Sequence, residues 1–196
     1  MDFKFDNQYK IRYDATMKYK DIEKYPRAYY EVHSDWRFLE ETLKQWDDRK
    51  GITGSLGLNL DPEFQRGHVW SEQKKIEFVE YCLMGGESSR VIMFNHPNWQ
   101  GSYEGQMVLV DGKQRLEAVR KFLRNELPIF GGHFLGDFED KKSLLRDSDA
   151  YFVFKVFKLQ TNKDVMEFYL KLNSGGVVHT QDELDKVKKM IAMEDK

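Results

Sequence analysis

Apolar residues recur along this chain at two periods, and the two periods divide it into strands and helices. Trp36, Leu39, Leu43 and Trp46 follow one another at helical spacing behind Ser34, which is placed to cap them, and "DDRKGITG" supplies the stop, with Gly51 as the C-terminal glycine. Ser71 is placed to cap a second helix with Ile76, Val79 and Leu83 as its apolar stripe, Phe78 and Cys82 beside it, and Gly85 and Gly86 ending it. Leu116, Val119, Phe122 and Leu123 predict a third helix. Val165, Phe168, Tyr169 and Leu172 predict a fourth, broken by "NSGG". Thr180 opens a last one carrying Leu184, Val187 and Ile191.

Between the helices lie shorter runs. "RVIMFNH" and "QMVLVD" are continuous and apolar, as buried strands are, and "YFVFKVFKLQ" alternates like a half-exposed one. "YPRAYYEVH" predicts a further short strand, and so does the segment from Leu56 to Leu60, which Pro62 ends. "PNWQGSYEG" is a turn-rich loop, and "FGGHFLGDFEDKKSLLRDSDA" is expected to be a polar, glycine-containing connection. The pattern predicts mixed α and β structure with short strands and helices of moderate length. Residues 1–50 are taken as an N-terminal extension with the first helix, and 51–196 as the domain proper.

Composition narrows the classes. The 196 residues are 40% hydrophobic and 14% aromatic, enough for a core. A third are charged, yet the net charge is −2. A global electrostatic case for DNA binding therefore fails, and only a local basic groove stays open. Cys82 is the single cysteine, so no disulfide framework exists within the chain. The start "MDFKFDNQYK" lacks the apolar core of a signal peptide, and no run approaches the ~20 apolar residues of a membrane span. The expectation is a cytoplasmic protein without a membrane partner.

The chemistry concentrates where "MVLVDGKQRLEAVRKFL" passes from strand to helix. A helix start aims unpaired N–H groups at one point, and the macrodipole makes that end partly positive. Gly112 lets a ligand approach the backbone, Lys113 and Arg115 add positive charge, and Gln114 adds a neutral donor. Together they suit phosphate. Asp111 is an acid in an anion site. It makes sense if it holds Mg²⁺, orients Arg115 or positions a water. The plainer alternative is that Asp111 caps the helix and the two cations are solvated. Upstream, "DPEFQRGHVW" places Gln65 and Arg66 between a proline turn and a helix. An arginine fork there suits bidentate phosphate recognition.

Taken in order, "DPEFQRGHVWSEQKKIEFVEYCLMG", "VLVDGKQRLEAVRKFL" and "FYLKLNSGG…TQDEL" resemble the N-terminal domain of GmrSD-type modification-dependent restriction systems, within the ParB/sulfiredoxin-like superfamily. The resemblance runs from about residue 56 to 188. It implies a ParB/sulfiredoxin-like fold, of α+β class with a small mixed sheet and flanking helices, and a nucleoside triphosphate, with Mg²⁺, as ligand. It implies binding and hydrolysis at the D-G-Q-Q-R motif, which falls on Asp111, Gly112, Lys113, Gln114 and Arg115. Asp111, Gln114 and Arg115 are the implied catalytic residues, with Asp111 at the metal. Gln65 and Arg66 match the family's Q-R pair, and Asn173, Gly175 and Gly176 its N-x-G-G element. Lys113 departs from the family, which has glutamine there, and "GESSR" replaces a proline-rich turn. Full restriction proteins of this type carry further domains, often an H-N-H nuclease, and nothing in this chain resembles one. The implied setting is phage defence or a phage counter to it.

Three readings follow. The first is a domain that binds a nucleoside triphosphate, with hydrolysis open. The second is an interaction module, an inhibitor, decoy or subunit, with a protein partner or a second copy of itself. The third is a Mg²⁺-dependent nuclease built on the D-x-K of Asp111 and Lys113, with Asp61 or Glu104 as second acid. Sulfiredoxin-like redox chemistry is not expected, because it needs a cysteine in the phosphate loop and Cys82 sits on an apolar helix face. No two of His33, His68, His96, His133 and His179 share a short metal-binding spacing. Tyr25, Tyr29, Tyr30 and Trp36 could stack on bases, but a packing or dimer surface is the commoner use.

Overall fold

The two periods produce five strands and six helices in the structure, a computed structural model that describes residues 19–22, 24–48, 57–65, 67, 70–147, 150–173 and 181–194. The strands are β1 (Tyr30–Asp35), β2 (Leu58–Asn59), β3 (Val91–Asn95), β4 (Met107–Asp111) and β5 (Tyr151–Phe157). The helices are α1 (Leu39–Asp48), α2 (Glu72–Leu83), α3 (Lys113–Leu123), α4 (Lys141–Asp147), α5 (Asn162–Asn173) and α6 (Gln181–Glu194). One sheet runs in the order β1-β5-β3-β4-β2. The β1–β5 and β3–β4 pairs are antiparallel, and the β3–β5 and β2–β4 pairs are parallel. The class is α+β, and the mixed sheet with helices on both faces agrees with the ParB/sulfiredoxin-like architecture.

Alternation along the strands builds two cores. Ile92, Phe94, Leu109, Phe152, Phe154 and Val156 join one cluster with Trp36, Leu39, Leu43 and Trp46 and with Val79, Cys82, Leu116 and Phe122 of α2 and α3. Trp46 sits edge-on to Phe94 and Trp99. On the opposite face Val110 and Phe157 meet Val165, Met166, Phe168 and Tyr169 of α5 and Val187 of α6. β5, expected to be half exposed, keeps its alternation but lies inside the sheet between β1 and β3.

The helix ends follow the sequence where a cap has no rival. Ser71 Oγ accepts from Lys74 N at 3.2 Å. Gly86 N donates to Tyr81 O and Gly85 N to Cys82 O, a Schellman stop with Gly85 at φ +88°. Ser34 is a correction. It pairs with Phe152 inside β1 and is buried, and Asp35 takes the cap, accepting from Arg37 N at 2.8 Å. A short 3₁₀ turn (Trp36–Phe38) then leads into α1. The polar connection also differs from expectation, since it holds a 3₁₀ turn (Leu135–Asp137) and α4. Gly51 and Thr180 lie outside the described residues. Among the described residues no helix is long and apolar enough to cross a membrane.

Candidate functional site

The last residue of β4 and the first turn of α3 carry the D-G-K-Q-R run. Opposite them the β3–β4 register slips between Met93 and Phe94, where Leu109 faces Phe94 but Asp111 faces Met93. Val110 is therefore the extra residue, a bulge directly before the corner. Gly112 is the N-cap of α3 at φ +100°, with no side-chain cap, so Asp111 does not cap this helix. A Cβ on Gly112 would stand 2.6 Å from Ile92 Cδ1 and 3.3 Å from Ile92 Cα. The glycine is thus required by β3 and by the left-handed backbone, and the space its missing Cβ leaves is filled by protein.

The side chains of the corner diverge. Arg115 turns back to form an ion pair with Asp111. Lys113 is buried and pairs with Asp61. Residues two apart on a helix point about 200° apart, so the two cations serve different hollows. Lys113 lines a small cavity of about 200 Å³ with Asp61, Glu117 and Arg120. Arg115 lines a cleft of about 440 Å³ with Trp70, Lys74, Glu77, Tyr81 and Ser88. Gln114 is half-buried and bonds to the chain before α2: its Nε2 donates to Gly67 O at 3.0 Å and its Oε1 accepts from Trp70 N at 3.2 Å.

These contacts bring the separated motifs together. Gln65 Nε2 donates to Leu109 O in β4, so the Q-R turn is tied to the sheet on one side of the corner and by Gln114 on the other. Phe64 in the same turn meets the ring of Tyr169, and Lys186 Nζ donates to Glu63 O at 2.8 Å. The turn is therefore held against α5 and α6 as well. Asn173 is the last residue of α5, its Nδ2 donating to Tyr169 O at 2.7 Å. Arg66, His68, Gly175 and Gly176 lie outside the described residues.

Asp111 offers one carboxylate. Among the described residues no three His, Cys, Asp or Glu side chains stand together as metal ligands. A single acid beside a cation suits Mg²⁺ that arrives with phosphate oxygens, which typically needs one or two protein carboxylates. It does not suit an all-protein cage. The nuclease arrangement is divided by the same geometry, because Lys113 turns to Asp61 and away from the Asp111–Arg115 pair.

Cys82 is buried on the inner face of α2, and burial pushes its thiol up to about 11, with Arg90 and Arg115 pulling the other way. An unfolded thiol ionises near 9.0. Between those values the unfolded chain holds fewer protons than the folded one, so stability falls as pH rises. The wild type is expected to lose more stability from pH 9 to 11 than Cys82→Ala does, in urea melts of both. Equal losses would mean that the thiol ionises freely in the folded protein.

Sequence reasoning missed Trp70, Lys74, Glu77 and Tyr81. The available signal was the spacing of the last three, which recur at 74, 77 and 81 along the exposed side of α2, while Trp70 stands just ahead of the helix.

A family model described as "GmrSD restriction endonuclease, N-terminal domain" matches residues 47–189, a span holding the Q-R turn, the strand-to-helix corner and the end of α5. No curated protein and no solved structure matches the chain.

Proposed function

The chain belongs to the family of GmrSD restriction endonuclease N-terminal domains, and on that premise we propose that it binds a nucleoside triphosphate at the β4–α3 corner, as the nucleotide-dependent part of a restriction or counter-restriction system. One observation carries the reading. Arg115 lines a cleft whose volume suits a small ligand, with Lys74 as a second cation in the same cleft, and Arg115 is itself ion-paired with Asp111. Arg115 would take phosphate oxygens through its planar fork. Asp111 would hold the guanidinium in that direction and be the carboxylate for a Mg²⁺ bound with the triphosphate. That ion would supply charge neutralisation to the phosphates. Gln65 and Gln114 act as positioning residues, since their amides hold the Q-R turn and Trp70 in place.

Calorimetry with each of the four nucleoside triphosphates, with and without Mg²⁺, tests this, with released phosphate assayed in parallel. Removing a charge-assisted contact costs about 1.5–3 kcal/mol, so Arg115→Ala is expected to weaken binding by about tenfold or more. Asp111→Ala is expected to abolish the gain that Mg²⁺ gives. Unchanged affinity in both variants refutes the assignment.

A second reading rests on how fully the corner is engaged within the domain. Asp111 pairs with Arg115, Lys113 with Asp61, and both glutamine amides bond to backbone. In that reading the motif is a clasp, and the domain works as an interaction module. A folded protein that binds none of the four triphosphates is its signature.

A further inference from the structure

The cleft beside Arg115 contains one acid among its cations, and a carboxylate repels phosphate. Glu77 must therefore face some other part of whatever binds there, or face only water. Along one side of α2 the cleft presents Lys74, Glu77 and Tyr81, a cation, an acid and an aromatic ring, each about one turn or 5.4 Å from the next. The Lys74 end adjoins the corner: its ammonium stands 5.3 Å from the ring centroid of Trp70, and the Trp70 N–H is held by Gln114. The Tyr81 end is rigid. The Tyr81 hydroxyl shares a 2.6 Å hydrogen bond with Ser88 Oγ and accepts from Ser88 N at 3.2 Å, and its ring covers the space where Gly86 would carry a Cβ.

Read outward from the corner, the order cation, acid, ring parallels phosphate, sugar, base. We propose that Glu77 is the sugar-recognising residue of this cleft. Its carboxylate accepts hydrogen bonds from the 2′- and 3′-hydroxyls, with the base against Tyr81 and the phosphates toward Lys74 and Arg115, so that the domain selects ribonucleotides over 2′-deoxyribonucleotides. A carboxylate suits a vicinal diol because it only accepts, and a diol brings two donors a carboxylate can take at once. The proposal rests on the nucleotide reading above and names the substrate class at the same site. In the free protein Glu77 accepts from Gln73 Nε2 at 3.0 Å, a surface contact that a ligand can replace.

The test is a pair of calorimetric titrations on each protein, one with a ribonucleoside triphosphate that binds and one with its 2′-deoxy counterpart. The quantity read is the ratio of the two affinities, which cancels any general loss in a variant. The wild type is expected to prefer the ribonucleotide by about tenfold or more, the size of a lost hydrogen bond to a charged acceptor. In Glu77→Ala the ratio is expected to fall to within about threefold. Equal affinity of the wild type for both sugars overturns the proposal and leaves the nucleotide reading standing. A preference that survives in Glu77→Ala also overturns it, placing sugar recognition elsewhere. Failure of every nucleotide to bind the wild type overturns both.

Discussion

Gly112→Ala is expected to destabilise the folded domain by about 2–5 kcal/mol. Two costs add. The left-handed backbone at φ +100° disfavours any side chain by roughly 1–2 kcal/mol. The new methyl would press on Ile92, 2.6 Å from its Cδ1 and 3.3 Å from its backbone, and overpacking of a core typically costs about 1–3 kcal/mol. For a chain of this length each kcal/mol lowers Tm by about 2–4 °C, so the shift is large enough to read in a thermal melt. Ile92→Val separates the two parts. It removes Cδ1, the flexible half of the clash, and leaves the close approach to the β3 backbone and the left-handed strain. Alone it costs about 0.5–1.5 kcal/mol. With Gly112→Ala it is expected to cost less than the sum, the signature of two residues competing for one space. Additive losses, or a Gly112→Ala change below about 1 kcal/mol, would return the glycine to its other explanation, a backbone kept bare for a ligand. That explanation predicts weakened nucleotide binding in a domain of normal stability.

The same residue shows what could be read from the sequence. An Asp-Gly between a buried strand and an amphipathic helix marks a corner, and the corner is there. The reason for the glycine was not visible, because Ile92 is twenty positions away and reaches Gly112 only through the β3–β4 pairing and its bulge. The period of a helix already separates Lys113 from Arg115. The two cations expected to share one phosphate cradle therefore diverge, and Asp61 completes the separation. Ser34 and Asp35 are both good caps side by side, and the β1–β5 register decided between them by burying Ser34 opposite Phe152. α4 has seven residues, too few for a helical period to stand out from a polar loop. The meeting of the Q-R turn with the corner was implied by the family resemblance, whereas the amide bonds that make it, from Gln65 to Leu109 and from Gln114 to Gly67 and Trp70, are tertiary facts.

Arg90 was the residue most fully concealed, since it opens an apolar run and reads as its polar edge. It is 1% exposed. Its Nε donates to Gly86 O at 2.6 Å and its Nη2 to Cys82 O at 2.8 Å, and its guanidinium lies 4.5 Å from the centroid of the Tyr151 ring. One fork thus ties the end of α2 to the start of β3, and it holds Gly86, which the Tyr81 ring of the cleft covers. Its Nη1 has no hydrogen-bond partner among the described residues, so the charge is held by two carbonyls and a ring face alone. Arg90→Ala is expected to cost about 3–5 kcal/mol, the range for emptying a large buried side chain, with the loss of two charge-assisted bonds partly offset by no longer burying the cation. Cys82 O keeps its bond from Gly85 N, whereas Gly86 O loses the arginine. Arg90→Met fills most of the volume without a charge and is expected to lose clearly less than alanine does. Arg90→Lys keeps the charge but has no planar fork to span both carbonyls, and is expected to be worse than methionine. Urea melts of the three variants order them. If lysine proves the mildest, the positive charge and not the fork is what this position requires.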